Sequence, residues 1–486
     1  MAAIEKIGGD YAKLAGGPYV KFTRDEKALG KPVIGVTFAT GTGRWKEVTD
    51  AVCPEIAKFK DLQTLDLGAV VGPPGTQVTD AGIAQLKDLI NLRSLVLPTS
   101  ATDKSLEVVG RFNKLETLHI LVCPITDKGV AELKPLKKLK TLTLSNLDAN
   151  NSGGIVDALI HGGPSHTNNF TDRGLAHLAE LPELQSLDIS GNPRITGAGL
   201  AGFKSLKALN LNGNGLTDAG LKSLAQLKTL QTLNLNLSGN MRITDAGLAE
   251  LQGLQHLLPS LDLSNTRVTD AGMKEVAALK GLQALNLNHT AVGDEGLAEL
   301  KRLPALKSLE MRNTNVTDEG AKHLKQFTSL ETVDLWGTLF TKSGLNELPH
   351  LKRLLAPVGS AAELGLKGTQ STESVTLGGG EITDRWLIQL TAFTSLRSLN
   401  LDSAEYIDLI HSGITDAGAK CLAELQSLKT IDLRGTQITD AGLKELQSLQ
   451  NLKELNLCLV PGGPFDVTLE GIEELRAALP EAKILR

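Results

Sequence analysis

Between Asn265 and Thr341 the chain repeats one 24-residue pattern of apolar and polar positions three times. Val268-Thr269-Asp270-Ala271-Gly272 returns as Val292-Gly293-Asp294-Glu295-Gly296 and as Val316-Thr317-Asp318-Glu319-Gly320, and Phe340-Thr341 opens the next copy. Counted from Thr269, apolar residues fall at offsets +4, +7, +10, +13, +16 and +18: Met273, Val276, Leu279, Leu282, Leu285 and Leu287. The steps of three keep one stripe of a helix facing inward. The closing step of two, Leu285-Asn286-Leu287, sends alternate side chains to one face of a strand. Each copy therefore predicts one helix, one short strand and two turns. Thr269 is a good N-cap, and Asp270 places negative charge in the positive first turn. Gly stands at offset +3 in thirteen of the sixteen segments that align. Gly weakens a helix, so its recurrence predicts a crowded contact with the neighbouring copy. A single copy buries too few aliphatic side chains to offset the cost of ordering itself, and the copies must stack to be stable.

The residues at the Thr offset run 49, 79, 102, 126, 171, 196, 217, 244, 269, 293, 317, 341, 383, 415, 439 and 468. The domain reading is an N-terminal hairpin-like cap over 1–44, about 15–16 repeats of roughly 24 residues over 45–467, and a C-terminal capping repeat over 468–486. In the cap, Tyr19-Val20-Lys21-Phe22 and Val33-Ile34-Gly35-Val36-Thr37-Phe38 are the expected strands. The segment from Thr196 is three residues short, and the one from Thr244 has one extra residue near Leu257-Leu258. Extra residues at 68–77, 145–169, 356–373 and 402–413 interrupt the period. Most of them leave the C-terminal end of a strand, which predicts that they rise from one edge of the sheet. Pro357 is expected to break its strand.

This L-x-x-L-x-L ending at a period of 20–29 residues is the leucine-rich-repeat signature. The TDAGL blocks resemble a bacterial class of leucine-rich repeats related to the ribonuclease-inhibitor-like and cysteine-containing branches, over about residues 45–486. The resemblance implies an α/β solenoid, a right-handed horseshoe with a parallel sheet on its concave face and helices on its convex face. It also implies that the chain binds other proteins. It says nothing about a partner, because the motif residues are architectural.

Composition narrows the function. The chain has 486 residues and a net charge of -5 with the signs mixed, which gives no electrostatic case for nucleic acid. Its four cysteines, Cys53, Cys123, Cys421 and Cys458, show no paired spacing, so a disulfide framework is not expected and a reducing compartment is. Cys53 sits at a core offset and reads as a small apolar residue. No apolar run approaches a membrane span. Met1-Ala2-Ala3-Ile4-Glu5-Lys6 lacks the apolar core of a signal peptide, so a cytoplasmic protein is expected, with a trimmed leader left open. The capped ends argue for a monomer.

For catalysis the sequence offers no P-loop, G-x-S-x-G, H-E-x-x-H or C-x-x-C, and no cofactor or metal is expected. The alternation exposes a row of short polar residues between the strand apolars: Asp188, Asn210, Asn234, Asp262, Asn286, Glu310, Asp334, Asn400, Asp432 and Asn456. This row is either a solvated, self-bonded ladder or a weakly acidic surface for a basic or polar partner. On the same face Trp336, Arg312, His289 and Arg434 join Glu310, Asp334, Asn286 and Asp262 as candidate partner-binding residues, since Trp and Arg dominate interface energies. On the loop edge His161, His166, Tyr406 and His411 are candidate lip residues. The expectation is a non-catalytic scaffold for a protein or peptide. The alternatives are a substrate-recognition adaptor or effector subunit of an enzyme complex, and a glycan receptor.

Overall fold

The structure, a computed structural model, describes residues 4–6, 11–14, 19–25, 27, 32–38, 48–68, 77–146, 169–339, 353–357, 374–378, 384–387, 396–400, 414–433, 436–457 and 467–485. The expected insertions lie largely outside these residues. The chain divides into two compact units, Met1–Ile243 and Thr244–Arg486.

In the first unit β1 (Ile4–Lys6), β2 (Tyr11–Leu14), β3 (Tyr19–Arg24) and β4 (Val33–Phe38) form an antiparallel meander. Only β3 and β4 were legible as strands, because β1 and β2 are short and carry no sustained alternation. From β4 onward the pairing is parallel. β5 (Thr64–Asp66), β6 (Ser94–Val96), β7 (Thr117–Leu121), β8 (Thr141–Ser145), β9 (Ser186–Asp188), β10 (Ala208–Asn210) and β11 (Thr232–Asn234) follow in chain order and complete one sheet.

The second unit repeats the arrangement with β12 (Ser260–Asp262), β13 (Ala284–Asn286), β14 (Ser308–Glu310), β15 (Thr332–Asp334), β16 (Arg353–Pro357), β17 (Ser374–Gly378), β18 (Ser398–Asn400), β19 (Thr430–Asp432), β20 (Glu454–Asn456) and β21 (Lys483–Leu485). Pro357 does not break its strand. It is the last residue of β16, in register with Gly378, and the end of a strand is a position where a missing N–H is tolerated.

In each unit the helices pack on one face of the sheet, with the aliphatic residues between the layers. Met273, Val276, Leu279, Leu282, Leu285 and Leu287 are each at most 2% exposed. The helix is shorter than the apolar stripe: Asp270–Val276 is helical, and Leu279 and Leu282 lie in turns beyond it. Those turns close by i→i−3 bonds, Leu279 N to Val276 O at 3.0 Å and Leu282 N to Leu279 O at 2.9 Å. A repeated step of three is thus the period of tight turns, not of an α-helix, whose 3.6-residue turn would carry the stripe off the core.

The Thr-Asp pair does more than cap. Thr269 accepts from Ala271 N as an N-cap, and its own amide and hydroxyl donate to Asp245 of the preceding repeat, at 2.8 and 2.7 Å. Thr79, Thr102, Thr126, Thr171 and Thr196 make the same two bonds to Asp50, Asp80, Asp103, Asp127 and Asp172. In the second unit Thr317, Thr415, Thr439 and Thr468 do so to Asp294, Asp384, Asp416 and Asp440. Each carboxylate is therefore an acceptor for the next repeat's helix start, and charge-assisted bonds of this kind contribute about 1.5–3 kcal/mol each.

The same carboxylate explains the recurrent Gly. A Cβ at Gly296 or Gly320 would stand 2.5 Å from Oδ1 of Asp270 or Asp294. Gly296 uses the space for another bond, its amide donating to Asp270 at 2.9 Å. The third repeat carries Ser105 instead, and its hydroxyl donates to Asp80 at 2.5 Å, turning the clash into a contact. Burial alone would raise the Asp80 pKa, but the bonds from Ser105 and Thr102 outweigh it and hold the carboxyl below its ordinary value.

The repeat that starts at Gly293 lacks the hydroxyl, and only the two amides of Gly293 and Gly296 reach Asp270. Gly293 has extended backbone, φ −126, and a Cβ there meets nothing nearer than 3.5 Å. Gly293→Thr should therefore add the missing bond and cap, stabilising the second unit by about 1–2 kcal/mol. Gly296→Ala, by contrast, should destabilise it by about 1–3 kcal/mol. Denaturant midpoints of the two variants check both signs, and a neutral Gly296→Ala would remove the steric account of the recurrent Gly.

Candidate functional site

The strands of each unit present their polar positions on the face turned away from the helices. In β12 to β15 of the second unit the first position is small: Ser260, Ala284, Ser308 and Thr332 lie side by side in register. Beside them runs the row Asp262, Asn286, Glu310 and Asp334. Neighbouring strands lie roughly 4.8 Å apart. One residue before β13, β14 and β15 stand the exposed Gln283 and Lys307 and the half-buried Glu331.

Much of the polar row is occupied by its own backbone. Asp262 Oδ1 accepts from Ser264 N at 2.9 Å and from its hydroxyl at 2.7 Å. Asn286 Oδ1 accepts from Asn288 N at 2.9 Å, and Asp334 Oδ1 accepts from Trp336 N at 3.1 Å. A short side chain accepting from the amide two residues on closes the turn that ends the strand. Asp188 and Asn210 do the same in the first unit, at 2.9 and 3.2 Å.

Asp334 is 4% exposed, and its second oxygen accepts from Arg312 Nε. Arg312 and Trp336 are half-buried. Glu310 accepts from Asn288 Nδ2 at 3.1 Å. His289 is exposed on the turn that follows β13, with φ +57, and its Nδ1 lies 3.3 Å from Asn313 Nδ2. The structure thus brings Arg312, Asp334 and Trp336 together, with Glu310 on the adjacent strand, while His289 stands on the rim. Arg434, His161, His166, Tyr406 and His411 lie outside the described residues.

The first unit holds face residues that the sequence reading left out. His119 lies between Leu118 and Ile120 as Asp188 lies between Leu187 and Ile189, and Thr143 falls between them in register. His119 Nδ1 is 2.9 Å from Thr143 Oγ1. Burial lowers the His119 pKa, and the nearby Asp188 opposes it only in part. Asp66 occupies the same row, and burial raises its carboxyl despite the Gly68 amide. The offset that picked out Asp188 would have found all three, had the row been followed back toward the N-terminus.

Other groups are accounted for structurally. Cys53 and Cys123 are buried free thiols pushed up to about 12, by burial and then by Asp50 for Cys53, and by burial for Cys123. A cavity of about 310 Å³ includes Asp61, Asn91, Arg93 and Lys114 in its wall. There Arg93 pairs with Glu116 at 2.6 Å and Lys114 donates to Asn91 at 2.7 Å. Among the described residues no three His, Cys, Asp or Glu side chains are grouped to hold a metal, and no helix is long and apolar enough to cross a membrane.

Parallel strands alternating with short helices, one pair per repeat, define an α/β leucine-rich-repeat solenoid. The chain belongs to the leucine-rich-repeat family: the model described as "Leucine-rich repeat region" matches residues 49–378, and a second, "Leucine Rich repeat", matches 424–446. No curated protein matches the chain. Among solved structures it is similar to a leucine-rich-repeat protein of Leptospira interrogans at 19% identity and a TM-score of 0.51, covering 89% of this chain and 97% of that one. It is also similar to an internalin of Listeria monocytogenes (18% identity, TM-score 0.35, 90% and 92% covered). A third similar structure is the mouse RP105/MD-1 complex (16% identity, TM-score 0.49, 86% and 70% covered). At these identities the likeness is one of fold.

Two outcomes follow from the face geometry. Arg312→Ala leaves the buried Asp334 carboxylate without its cation and should destabilise the second unit by about 2–3 kcal/mol, whereas the double change with Asp334→Asn should recover part of the loss. A double-mutant cycle in denaturant reads the coupling, and additivity would show that the pair is not coupled. His119 supplies a pH dependence. Its folded pKa lies below 6.5, so the unfolded chain takes up the proton first and stability falls as pH drops below 6.5. His119→Gln should flatten that fall; denaturant midpoints at neutral pH and on the acid side of 6.5 measure it.

Proposed function

We propose that this chain is a non-catalytic binding scaffold that holds an extended protein or peptide segment along the outer face of its sheet. The observation that carries the reading is the shape of that face across β12 to β15: a floor of Ser260, Ala284, Ser308 and Thr332, bordered on one side by the Asp, Asn and Glu row and on the other by Gln283, Lys307 and Glu331. Small residues let a backbone approach closely, and alternating polar walls give it register. Glu310, His289, Trp336 and Arg312 would make the side-chain contacts, with Asp334 and Asn286 holding the turns that present them. The family is typically non-catalytic and serves as a protein-binding scaffold. A cytoplasmic setting suits the free thiols Cys53, Cys123 and Cys421.

Arg312 is a poor probe of binding, because its loss disturbs Asp334. Ala284→Arg and Ser308→Arg instead fill the floor with side chains that point away from the core. Peptides selected from a random display library on the wild-type protein should lose at least about tenfold in affinity for the double variant. If they bind it unchanged while circular dichroism shows it folded, the sheet face is not the binding surface.

A further inference from the structure

One boundary inside the first unit lacks the fastenings found at the boundary before it. It lies between the repeat that begins at Thr196 and the one that begins at Thr217. On the helix side the Asp of the motif is replaced by Gly197, which takes a left-handed φ of +89. Thr217 therefore has no carboxylate to bond. Its amide and hydroxyl turn to the Thr196 carbonyl, at 3.2 and 3.5 Å, in place of the 2.6–3.1 Å bonds that Thr196 itself makes to Asp172. The helix of this repeat is also reduced to a single 3₁₀ turn, Leu200–Gly202.

The same boundary is defective at the other end of the strands. A buried Asn follows each of β9, β10 and β11: Asn192, Asn214 and Asn240. Asn192 is fully engaged. Its Nδ2 donates to the Leu144 and Ile189 carbonyls at 2.8 and 2.7 Å, and its amide donates to Asn214 Oδ1 at 2.9 Å. The next rung is missing. Asn214 Nδ2 and Asn240 Oδ1, on side chains of residues only 5% exposed, have no partner among the described residues.

The cause is legible in the sequence. Leu209-Asn210-Leu211-Asn212-Gly213-Asn214 is matched by Leu233-Asn234-Leu235-Asn236-Leu237-Ser238-Gly239-Asn240, which has one extra Leu-Asn pair. β11 pairs with β10 through Leu233 and Asn234, but the turn is closed two residues late, by Asn236 accepting from Ser238 N at 2.7 Å. Leu233 is left partly exposed and Asn234, although in register with Asn210, is exposed.

We infer that this boundary is a built-in seam, a place where the first unit opens locally before its other repeats do. The β10–β11 ladder, the apolar core and single bonds to neutral groups, such as Asn236 N to Asn212 Oδ1 at 2.8 Å and Thr229 Oγ1 to the Leu206 carbonyl at 2.6 Å, span it, whereas the Asp172–Thr196 boundary has the charged clamp and the Asn rung as well. Local opening free energies vary along a chain with the bonds that must break, and elements that move are drawn from the low end. In a stacked array each boundary is opened largely independently of distant ones.

Amide hydrogen exchange on the whole chain tests this. Thr217, Gly220 and the amides of 237–243 should exchange at least about tenfold faster than Thr196 and the amides of 189–195 under the same conditions. Equal or slower exchange at the seam would overturn the inference. Deleting Leu235-Asn236 restores the length of the preceding repeat and should let Asn214 N reach Asn240 Oδ1, slowing exchange at 237–243 about tenfold. Asn240→Thr is a milder version, since Thr266 at the corresponding place bonds to its own Leu263 carbonyl at 2.6 Å; it should slow the same amides without the rung. Unchanged exchange at 237–243 in Asn240→Thr would overturn the assignment of the seam to the orphaned Asn pair.

Discussion

Most of the repeats' helices are started by a carboxylate that belongs to the repeat before, the helix after Thr217 being an exception. An isolated helix of seven residues is far below the length at which helices persist in water, so these helices exist only where something fixes their first turn. The Thr cap satisfies one orphan amide within the repeat, and the preceding Asp binds the Thr itself. Position, charge and spacing are then coupled across the boundary. The carboxylate must sit one residue after Thr, the next Thr must arrive one period later, and the third residue after it must leave room for Oδ1. Gly296, Gly320 and Ser105 are two solutions of that last constraint, one by vacating the space and one by bonding into it.

The two units answer a second polar problem differently. The turn after each of β9 to β15 carries a buried polar residue, which must find partners because water does not reach it. In the first unit Asn192 bonds across to neighbouring strands. In the second, Thr266, Thr290, Thr314 and Thr338 each donate to the carbonyl three residues back. The Asn solution links repeats but depends on exact spacing, and a two-residue slip after β11 strands two atoms. The Thr solution links nothing but tolerates a change in the neighbouring repeat.

The fold was legible because the sequence repeats its own constraints: offsets of three and two, the Thr cap and the recurrent Gly together require a helix-turn-strand unit and crowded stacking. The partner of the Gly crowding was not legible, since Asp270 reads locally as a helix-dipole charge and its bonds go to Gly293 and Gly296, more than twenty residues on. The candidate face was legible in position and less so in chemistry. Alternation places Asp334 on the outer face but cannot tell that Arg312 and the Trp336 amide enclose it. His119 and Asp66 were missed for a simpler reason: the row was read only from Asp188 onward.

These observations bear on how such a face can recognise anything. Polar groups on a sheet are commonly counted as free for a partner, yet Asp262, Asn286 and Asp334 each give an oxygen to their own turn. A group already bonded contributes to recognition only through whatever atom its turn leaves over, and displacing its internal bond costs about as much as a new one supplies. On the proposed reading, recognition by this face would therefore rest on its shape and on groups outside the turns: the small floor of β12 to β15 that admits a backbone, and His289 on the rim. The same self-bonding fixes the turns rigidly, so a segment that fits would meet a surface already organised and would bear little of the ordering cost of binding.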